Sequence, residues 1–360
     1  MPGVYLSYPF CAQKCTYCNF ASGVFPRELE SRYIDAMLAE LRATEWPWTP
    51  ETIYLGGGTP SQMDPDALTK LLAEIPGREW SEATMEAAPD SITGEKVEAW
   101  RRAGINRVSL GVQSFIAKEL SRTGRKHTAQ TVVDDVAILR NAGIANINLD
   151  LIAGLPFQTR ESWNESLDWI ERIGAPHVSV YMLEVDDDSN LGRELLVLGS
   201  RYGAAAVPCE DDIAAFYETA VERLKMMGID RYEISNFARA GHESRHNLKY
   251  WRREPYLGFG ADAHSFNGES RWQNPESAEH YVGQGHVLPI TLPADAVAER
   301  FFLGLRLTEG IKGPWHPFAD SIRQFIDDGL LEQSGDRIRL TDRGVMLSNE
   351  VFQEFVGVQV

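Results

Sequence analysis

Four times this chain runs from a helical stretch into a glycine and on into an apolar strand: WRRAGINRVSLGV, LRNAGIANINLDLIAG, WIERIGAPHVSVYML and RLKMMGIDRYEIS. This repeated punctuation constrains the fold more than any other feature. Gly104, Gly143, Gly174 and Gly228 read as the residues just past a helix C-terminus, where a left-handed backbone closes the last turn and only glycine adopts it cheaply. Ahead of them, VYLSY and TIYLG are near-continuous apolar runs of the kind buried on both faces, each followed by a loop and an amphipathic helix. Strand–helix alternation over about the first 180 residues predicts an α/β fold, a parallel sheet with right-handed crossovers that is open or curved into a full or partial barrel.

Three segments follow from this pattern. Residues 1–185 read as the barrel. Residues 186–290 read as an extension over one barrel face, with an acidic loop (VDDDSN), a helix near 209–227 and a Gly- and aromatic-rich stretch (YLGFGADAHSFNGESRWQ). Residues 291–360 read as a winged-helix-like domain, with two helices, the hairpin LLEQSGDRIRLTDRG and a closing helix. Winged helices often bind DNA, but this one carries 11 acidic against 7 basic side chains, so docking on the barrel or on another protein is the expected role. A net charge of −17 argues against nucleic acid in general, and RRAGINR and Arg122–Lys126 are only short basic islands. The chain starts without a basic leader and has no run of ~18 apolar residues, which predicts a cytoplasmic protein without a membrane span.

Three of the four cysteines fall within eight positions, as Cys11-x-x-x-Cys15-x-x-Cys18, just after the first strand. Active sites of this architecture are built in such loops. A closed zinc site needs four ligands, usually as two pairs, and no fourth Cys or His follows within 100 residues. Three thiolates with one open position suit an iron–sulfur cluster that binds a further ligand, with zinc or plain buried cysteines as the alternatives. Later strand ends add polar groups. Gly56, Gly57, Gly58, Thr59 and Pro60 form a loop whose backbone can approach an amino-acid moiety closely. Glu86, Gln113 and Asp150 each end or interrupt an apolar run; singly they are ordinary solvated residues, and together they suit ribose hydroxyls and an α-amino group. Arg125 is able to pair with a ligand carboxylate.

The segments YLSYPFCAQKCTYCNF, YLGGGTP, LGVQSF, LDLIAGLP, HNLKYW and YLGFGADAHS together resemble the radical S-adenosylmethionine (SAM) family that contains oxygen-independent coproporphyrinogen III oxidase and the HemW-type heme chaperones. The resemblance spans nearly the whole chain. It implies a radical SAM partial (β/α) barrel with a small C-terminal domain. It assigns Cys11, Cys15 and Cys18 to a [4Fe-4S] cluster, and Tyr5, Gly57, Gly58, Thr59, Glu86, Gln113, Arg125 and Asp150 to SAM. Implied partners are heme, a heme-accepting protein and an electron donor to the cluster; a homodimer is left open.

Within the family, the oxidative decarboxylase pattern CxxxCxxCxC is not met, because Cys18 is followed by Asn19 and Phe20. The decarboxylase also carries residues ahead of its first strand, which here already includes Tyr5. His246, Asn247, Leu248, Lys249, Tyr250 and Trp251 match the HNxxYW motif of the chaperones, and by that resemblance His246 becomes the expected heme ligand, with His242, His264 and Cys209 as competitors. Two departures stand out: Ser7 where the family usually has His, and Asp262 where GADAHS more often reads Gly. Cys209 matches no motif and reads as a small semi-buried residue at a helix start. A zinc-stabilised interaction protein without redox chemistry is the reading from another class.

Overall fold

Residues 2–284 and 291–356 are described by the computed structural model. Six parallel strands form the centre: β1 (Gly3–Tyr8), β2 (Thr52–Gly57), β3 (Glu82–Ala87), β4 (Arg107–Gln113), β5 (Asn146–Ala153) and β6 (His177–Met182), each pairing with the next. Helices α1 (Arg27–Ala43), α2 (Pro65–Ala73), α3 (Gly94–Ala103), α4 (Ala117–Thr123), α5 (Ala129–Asn141) and α6 (Arg160–Ile173) make the crossovers. Gly104, Gly143, Gly174 and Gly228 all have positive φ, between 64° and 104°, as the helix–glycine–strand pattern requires.

The strands are not apolar on both faces. Val4, Leu6, Ile53, Leu55, Ala83, Met85, Val108, Leu110, Ile147, Leu149, Val178 and Val180 are buried under the helices, each stabilising the fold by ~1.5–3 kcal/mol where fully buried and large. The alternate residues form the opposite face, and they are polar: Ser7, Thr52, Tyr54, Glu82, Thr84, Glu86, Arg107, Ser109, Asn148, Asp150, His177 and Ser179. Hydrogen bonds between adjacent strands join many of them, giving most of these buried polar groups partners. The sheet therefore encloses a polar lumen.

Residues 186–284 lengthen the sheet at both edges. After α7 (Asn190–Leu196) and α8 (Glu210–Met226), β7 (Asp230–Arg231) and β8 (Asn236–Ala238) extend the sheet beyond β6. The chain then forms α9 (Arg245–Trp251) and returns to the other edge, where β9 (Tyr256–Phe259) pairs parallel to β1 and carries β10 (His264–Phe266), β11 (Ser270–Gln273) and β12 (Leu292–Pro293). Both edges of one twelve-stranded sheet are lengthened, and no pairing closes it among the described residues: the barrel is partial.

The C-terminal domain has a three-stranded antiparallel sheet, Ile311–Lys312, Arg337–Leu340 and Leu331–Ser334 in spatial order, around a core of Phe301, Phe318 and Phe355. It is tied to the barrel through Thr308 N–H to the Tyr232 carbonyl (3.1 Å), Arg231 to Asp342 (2.9 Å), and the Arg306 guanidinium over the Trp251 ring (4.3 Å).

Candidate functional site

Backbone hydrogen bonds shape the cysteine loop before any ligand is considered. Cys11 N–H donates to the Gly23 carbonyl (2.8 Å), Cys18 N–H to that of Cys15 (3.2 Å), and Thr16 N–H to that of Thr123 (3.3 Å). From the glycine loop, Gly58 N–H donates to the Tyr8 carbonyl (2.7 Å) and Thr59 N–H to that of Phe10 (2.9 Å). A Cβ on Gly58 would stand 2.7 Å from the Phe10 oxygen, so only glycine allows the two loops to touch. The three thiols are free and half-buried, with the Thr59 and Ser22 hydroxyls against Cys11 and the Tyr17–Arg125 pair against Cys15. Among the described residues no three Cys, His, Asp or Glu side chains stand at the spacing of a single-ion cage. Three thiols from one loop, with no fourth Cys or His beside them in sequence, suit a cluster with one open iron better than a closed four-ligand zinc site.

Beside this loop, a ring of polar groups crosses the C-terminal strand ends. A Cβ on Gly56 would be 3.1 Å from both Glu86 Oε1 and the Tyr5 hydroxyl, which places these three together. Glu86 accepts from the Tyr54 hydroxyl (2.9 Å). Burial, with Asp150 nearby, pushes its carboxyl up to about 7. Asp150 is also raised by burial, against which Asn148 Nδ2 (2.7 Å), Ser109 Oγ (3.1 Å) and Ser179 stabilise the charge. Gln113 is held at φ 68°, where the β4–β5 register shifts, and its buried Oε1 has no protein partner. Arg125 Nη1 donates to the Gly111 carbonyl (2.7 Å) while its buried Nε is unpartnered. Burial opposes the Arg125 charge, and Tyr17 and Cys15 beside it more than offset that, raising its pKa. Unsatisfied buried polar atoms at both Gln113 and Arg125 are what a bound polar ligand would satisfy. The structure thus gathers Tyr5, Gly57, Gly58, Thr59, Glu86, Gln113, Arg125 and Asp150 along one rim, next to Cys11, Cys15 and Cys18.

His246 is elsewhere. Its imidazole lies at the opposite end of the lumen, where a Cβ on Gly3 would be 3.0 Å from His246 Cε1. Tyr8 is five residues further along β1, ~16 Å at the usual strand rise, and the cysteines lie beyond it. The ring is fully buried, and both nitrogens are engaged: Nδ1 with Thr52 Oγ1 (2.9 Å) and Nε2 with the Tyr250 hydroxyl (2.8 Å). Burial, with Lys249 and Arg107 adding repulsion, lowers its pKa to about 3, so the imidazole is neutral. Glu82 receives the start of α9, accepting from Arg245 N–H (2.8 Å), His246 N–H (3.1 Å) and Ser244 Oγ (3.2 Å). The HNLKYW segment is therefore the floor of the barrel. As arranged, both His246 nitrogens are held by protein partners, so binding iron through either would require it to leave Thr52 or Tyr250.

Other expectations resolve individually. Asp262 has φ 58°, so it occupies the left-handed conformation that the usual glycine would, and its carboxylate accepts from Gln273 Nε2 (2.6 Å). Ser7 is buried in the lumen, with its carbonyl accepting from the Tyr33 hydroxyl (2.8 Å). Cys209 does sit at a helix start, as the N-cap of α8, but is exposed rather than semi-buried, with Sγ 3.2 Å from Asp212. Sequence reasoning missed Tyr54, Ser109, Asn148 and Ser179, which hold the two carboxylates, and Glu82, which holds the floor. Their signal was the period-two polar alternation within each strand.

Residues 5–170 match the radical SAM superfamily, and residues 292–347 match the HemN C-terminal domain. The protein named heme chaperone HemW in Bacillus subtilis is 34% identical, over 99% of this chain and 100% of its own length. The Escherichia coli protein of that name is 31% identical, over 98% of each. Coproporphyrinogen III oxidase (HemN) from Escherichia coli has a similar solved structure, with a TM-score of 0.82 covering 99% of this chain and 90% of that one; at 20% identity it bears on fold alone.

Proposed function

The chain belongs to the radical SAM family, among full-length relatives named heme chaperone HemW, and from that membership we propose that it carries heme to an acceptor protein on a scaffold that also holds a [4Fe-4S] cluster and SAM. Cys11, Cys15 and Cys18 are the cluster ligands in this reading. When bound, the cluster supplies the electron that cleaves SAM reductively to a 5′-deoxyadenosyl radical.

The chain's own residues bind and orient. The Gly57–Gly58 backbone admits the amino-acid portion of SAM, Arg125 pairs with its carboxylate, and Glu86, Gln113 and Asp150 take its ammonium and ribose hydroxyls. Tyr54 keeps Glu86 pointed at the rim, and the trio of Ser109, Asn148 and Ser179 does the same for Asp150. The observation that carries this reading is the meeting of the cysteine loop with that rim, which leaves Gln113 Oε1 and Arg125 Nε as buried atoms awaiting a partner.

Chaperoning is favoured over oxidative decarboxylation of coproporphyrinogen III by Phe20 standing where the decarboxylase pattern has its fourth cysteine. His246, the motif's candidate, would ligate heme iron only by giving up Thr52 or Tyr250, so exposed His264 and Cys209 are tested beside it. Anaerobic reconstitution followed by parallel assays tests the whole reading. Brown protein with about four irons and four sulfides per chain, a saturable hemin titration with a Soret shift, and unchanged coproporphyrinogen III are expected. Efficient protoporphyrinogen formation would overturn the chaperone reading, and colourless protein with stoichiometric zinc would overturn the cluster.

A further inference from the structure

A single file of hydrogen bonds crosses the lumen from floor to rim. It begins at the Ser244 N–H, at the start of α9, which donates to the Tyr232 hydroxyl oxygen (3.1 Å). That hydroxyl lies 2.9 Å from His177 Nε2, and His177 Nδ1 lies 2.6 Å from Asn148 Oδ1. Asn148 Nδ2 in turn donates to Asp150 Oδ1 (2.7 Å). His177, on the lumen face of β6, and Asn148, on that of β5, are both buried.

The direction of each link follows from the two ends. A backbone N–H only donates, so the Tyr232 oxygen accepts from Ser244 and its own proton is left for His177 Nε2. Burial, with Arg107 and His242 adding repulsion, lowers the His177 pKa well below its ordinary value, so the ring is neutral. Its one proton therefore sits on Nδ1, facing Asn148 Oδ1. At the far end an ionised carboxylate only accepts, which likewise turns Asn148 Nδ2 towards Asp150. The Ser109 and Ser179 hydroxyls, each 2.8 Å from Asn148 Nδ2, can donate as well as accept and so tolerate either orientation of the amide. The choice is left to His177 and Asp150. Reversing it would set Asn148 Oδ1 against the Asp150 carboxylate.

We propose that His177 is a positioning residue for the ligand site: its Nδ1–H holds the Asn148 amide in the orientation that donates to Asp150, and Tyr232 fixes the tautomer that does so. The inference rests on the SAM reading above, in which Asp150 contacts the ligand. A carbonyl left bare inside the lumen costs free energy until it finds a donor, so without His177 the amide turns and Asp150 loses its closest partner. The floor thereby acts on the rim, because the same α9 start that Glu82 receives supplies the first donor of the file.

Two substitutions at this one position separate the role from packing. Asn carries an N–H at the branch where His carries Nδ1, so His177→Asn keeps the donor to Asn148 and loses the acceptor for Tyr232. His177→Gln reaches Tyr232 and leaves Asn148 Oδ1 without a donor. Both replace a buried ring by an amide, so both should lower the melting temperature to a similar extent, with iron per chain unchanged. SAM titrated by calorimetry into reconstituted full-length protein should bind His177→Asn within ~2-fold of wild type and His177→Gln ~5- to 20-fold more weakly. Nitrogen NMR of histidine-labelled wild-type protein without SAM, with His177→Asn to assign the signal, should show a protonated Nδ1 and a bare Nε2. Equal SAM affinity in wild type and His177→Gln, or equal loss in both variants, would overturn the proposal. So would a His177 ring protonated on Nε2. Wild-type protein that holds iron yet binds no SAM would overturn the SAM reading and this inference with it, and an intact Nδ1–H signal would tell that failure from a wrong tautomer.

Discussion

Replacing His246 by alanine separates a structural floor from a heme ligand, because the two roles predict opposite results. Removal of the ring strands Thr52 Oγ1 and the Tyr250 hydroxyl in a buried setting, at about 1–3 kcal/mol for each unsatisfied group. The ring also packs on Tyr54 and Tyr250, with centroids 5.4 and 5.2 Å away, and that contact is lost too. A total of about 3–5 kcal/mol is expected, in line with other large-to-alanine changes in cores. With about 2.1 cal/mol/K of unfolding entropy per residue, a chain this long should melt roughly 4–7 °C lower. Acid adds a second signature. The folded pKa of His246 is lowered to about 3, so as pH falls below the ordinary value of ~6.5 the unfolded chain takes the proton first and wild-type stability declines. His246→Ala lacks that share of the decline, so its deficit should shrink by about 1 kcal/mol between pH 6.5 and 5.5. Urea unfolding at several pH values measures both effects, and hemin titration of the folded variant should give the wild-type Soret band. A variant as stable as wild type, with a lost or displaced Soret band, would refute the floor assignment and restore His246 as ligand.

Substituting Ser for Cys11, Cys15 or Cys18 should abolish iron–sulfur absorption, whereas Cys209→Ala should keep it; anaerobic visible spectra decide. SAM should bind more tightly as pH rises through about 7, by up to ~10-fold from pH 6 to 8, because Glu86 then ionises. Glu86→Gln should be weak and nearly flat over that range by calorimetry, without loss of iron. Gly58→Ala, whose Cβ would press on the Phe10 carbonyl, should separate the glycine loop from the cysteine loop and lower cluster occupancy, read as iron per chain.

What the sequence disclosed was whatever depends on near neighbours. Gly104, Gly143, Gly174 and Gly228 are legible because the left-handed turn they close is a property of a few consecutive residues. Asp262 was legible as a departure for the same reason, though only its φ of 58° explains what the position demands. VYLSY and TIYLG were correctly buried on both faces, but apolar content hid the difference between the faces. Tyr5 and Tyr54 count as hydrophobic in any such tally, yet they share the lumen side with Glu86. Strands of two to four residues at the sheet edges, such as Asp230–Arg231 and Asn236–Ala238, are too short to show a period at all.

The motif HNLKYW marks the limit of reading by resemblance. Its residue spacing is local, but its meaning lies in Thr52, 194 positions away, and in Glu82, which receives the backbone of α9 from 164 positions away. A buried carboxylate such as Glu82 must find donors, and the N–H groups at a helix start are among the best available. The Ser244–His246 start is thus held by Glu82, and the His246 ring by Thr52. Above the floor, the Tyr250 hydroxyl is pushed well up by burial, with Glu86 on the same side adding to the shift. Outside it, Trp251 stacks under Arg306 of the C-terminal domain. A segment clamped from inside the lumen and from the C-terminal domain is constrained by packing at nearly every position. Its sequence would be restricted for that reason whether or not heme ever touches it, and the motif alone cannot assign the ligand.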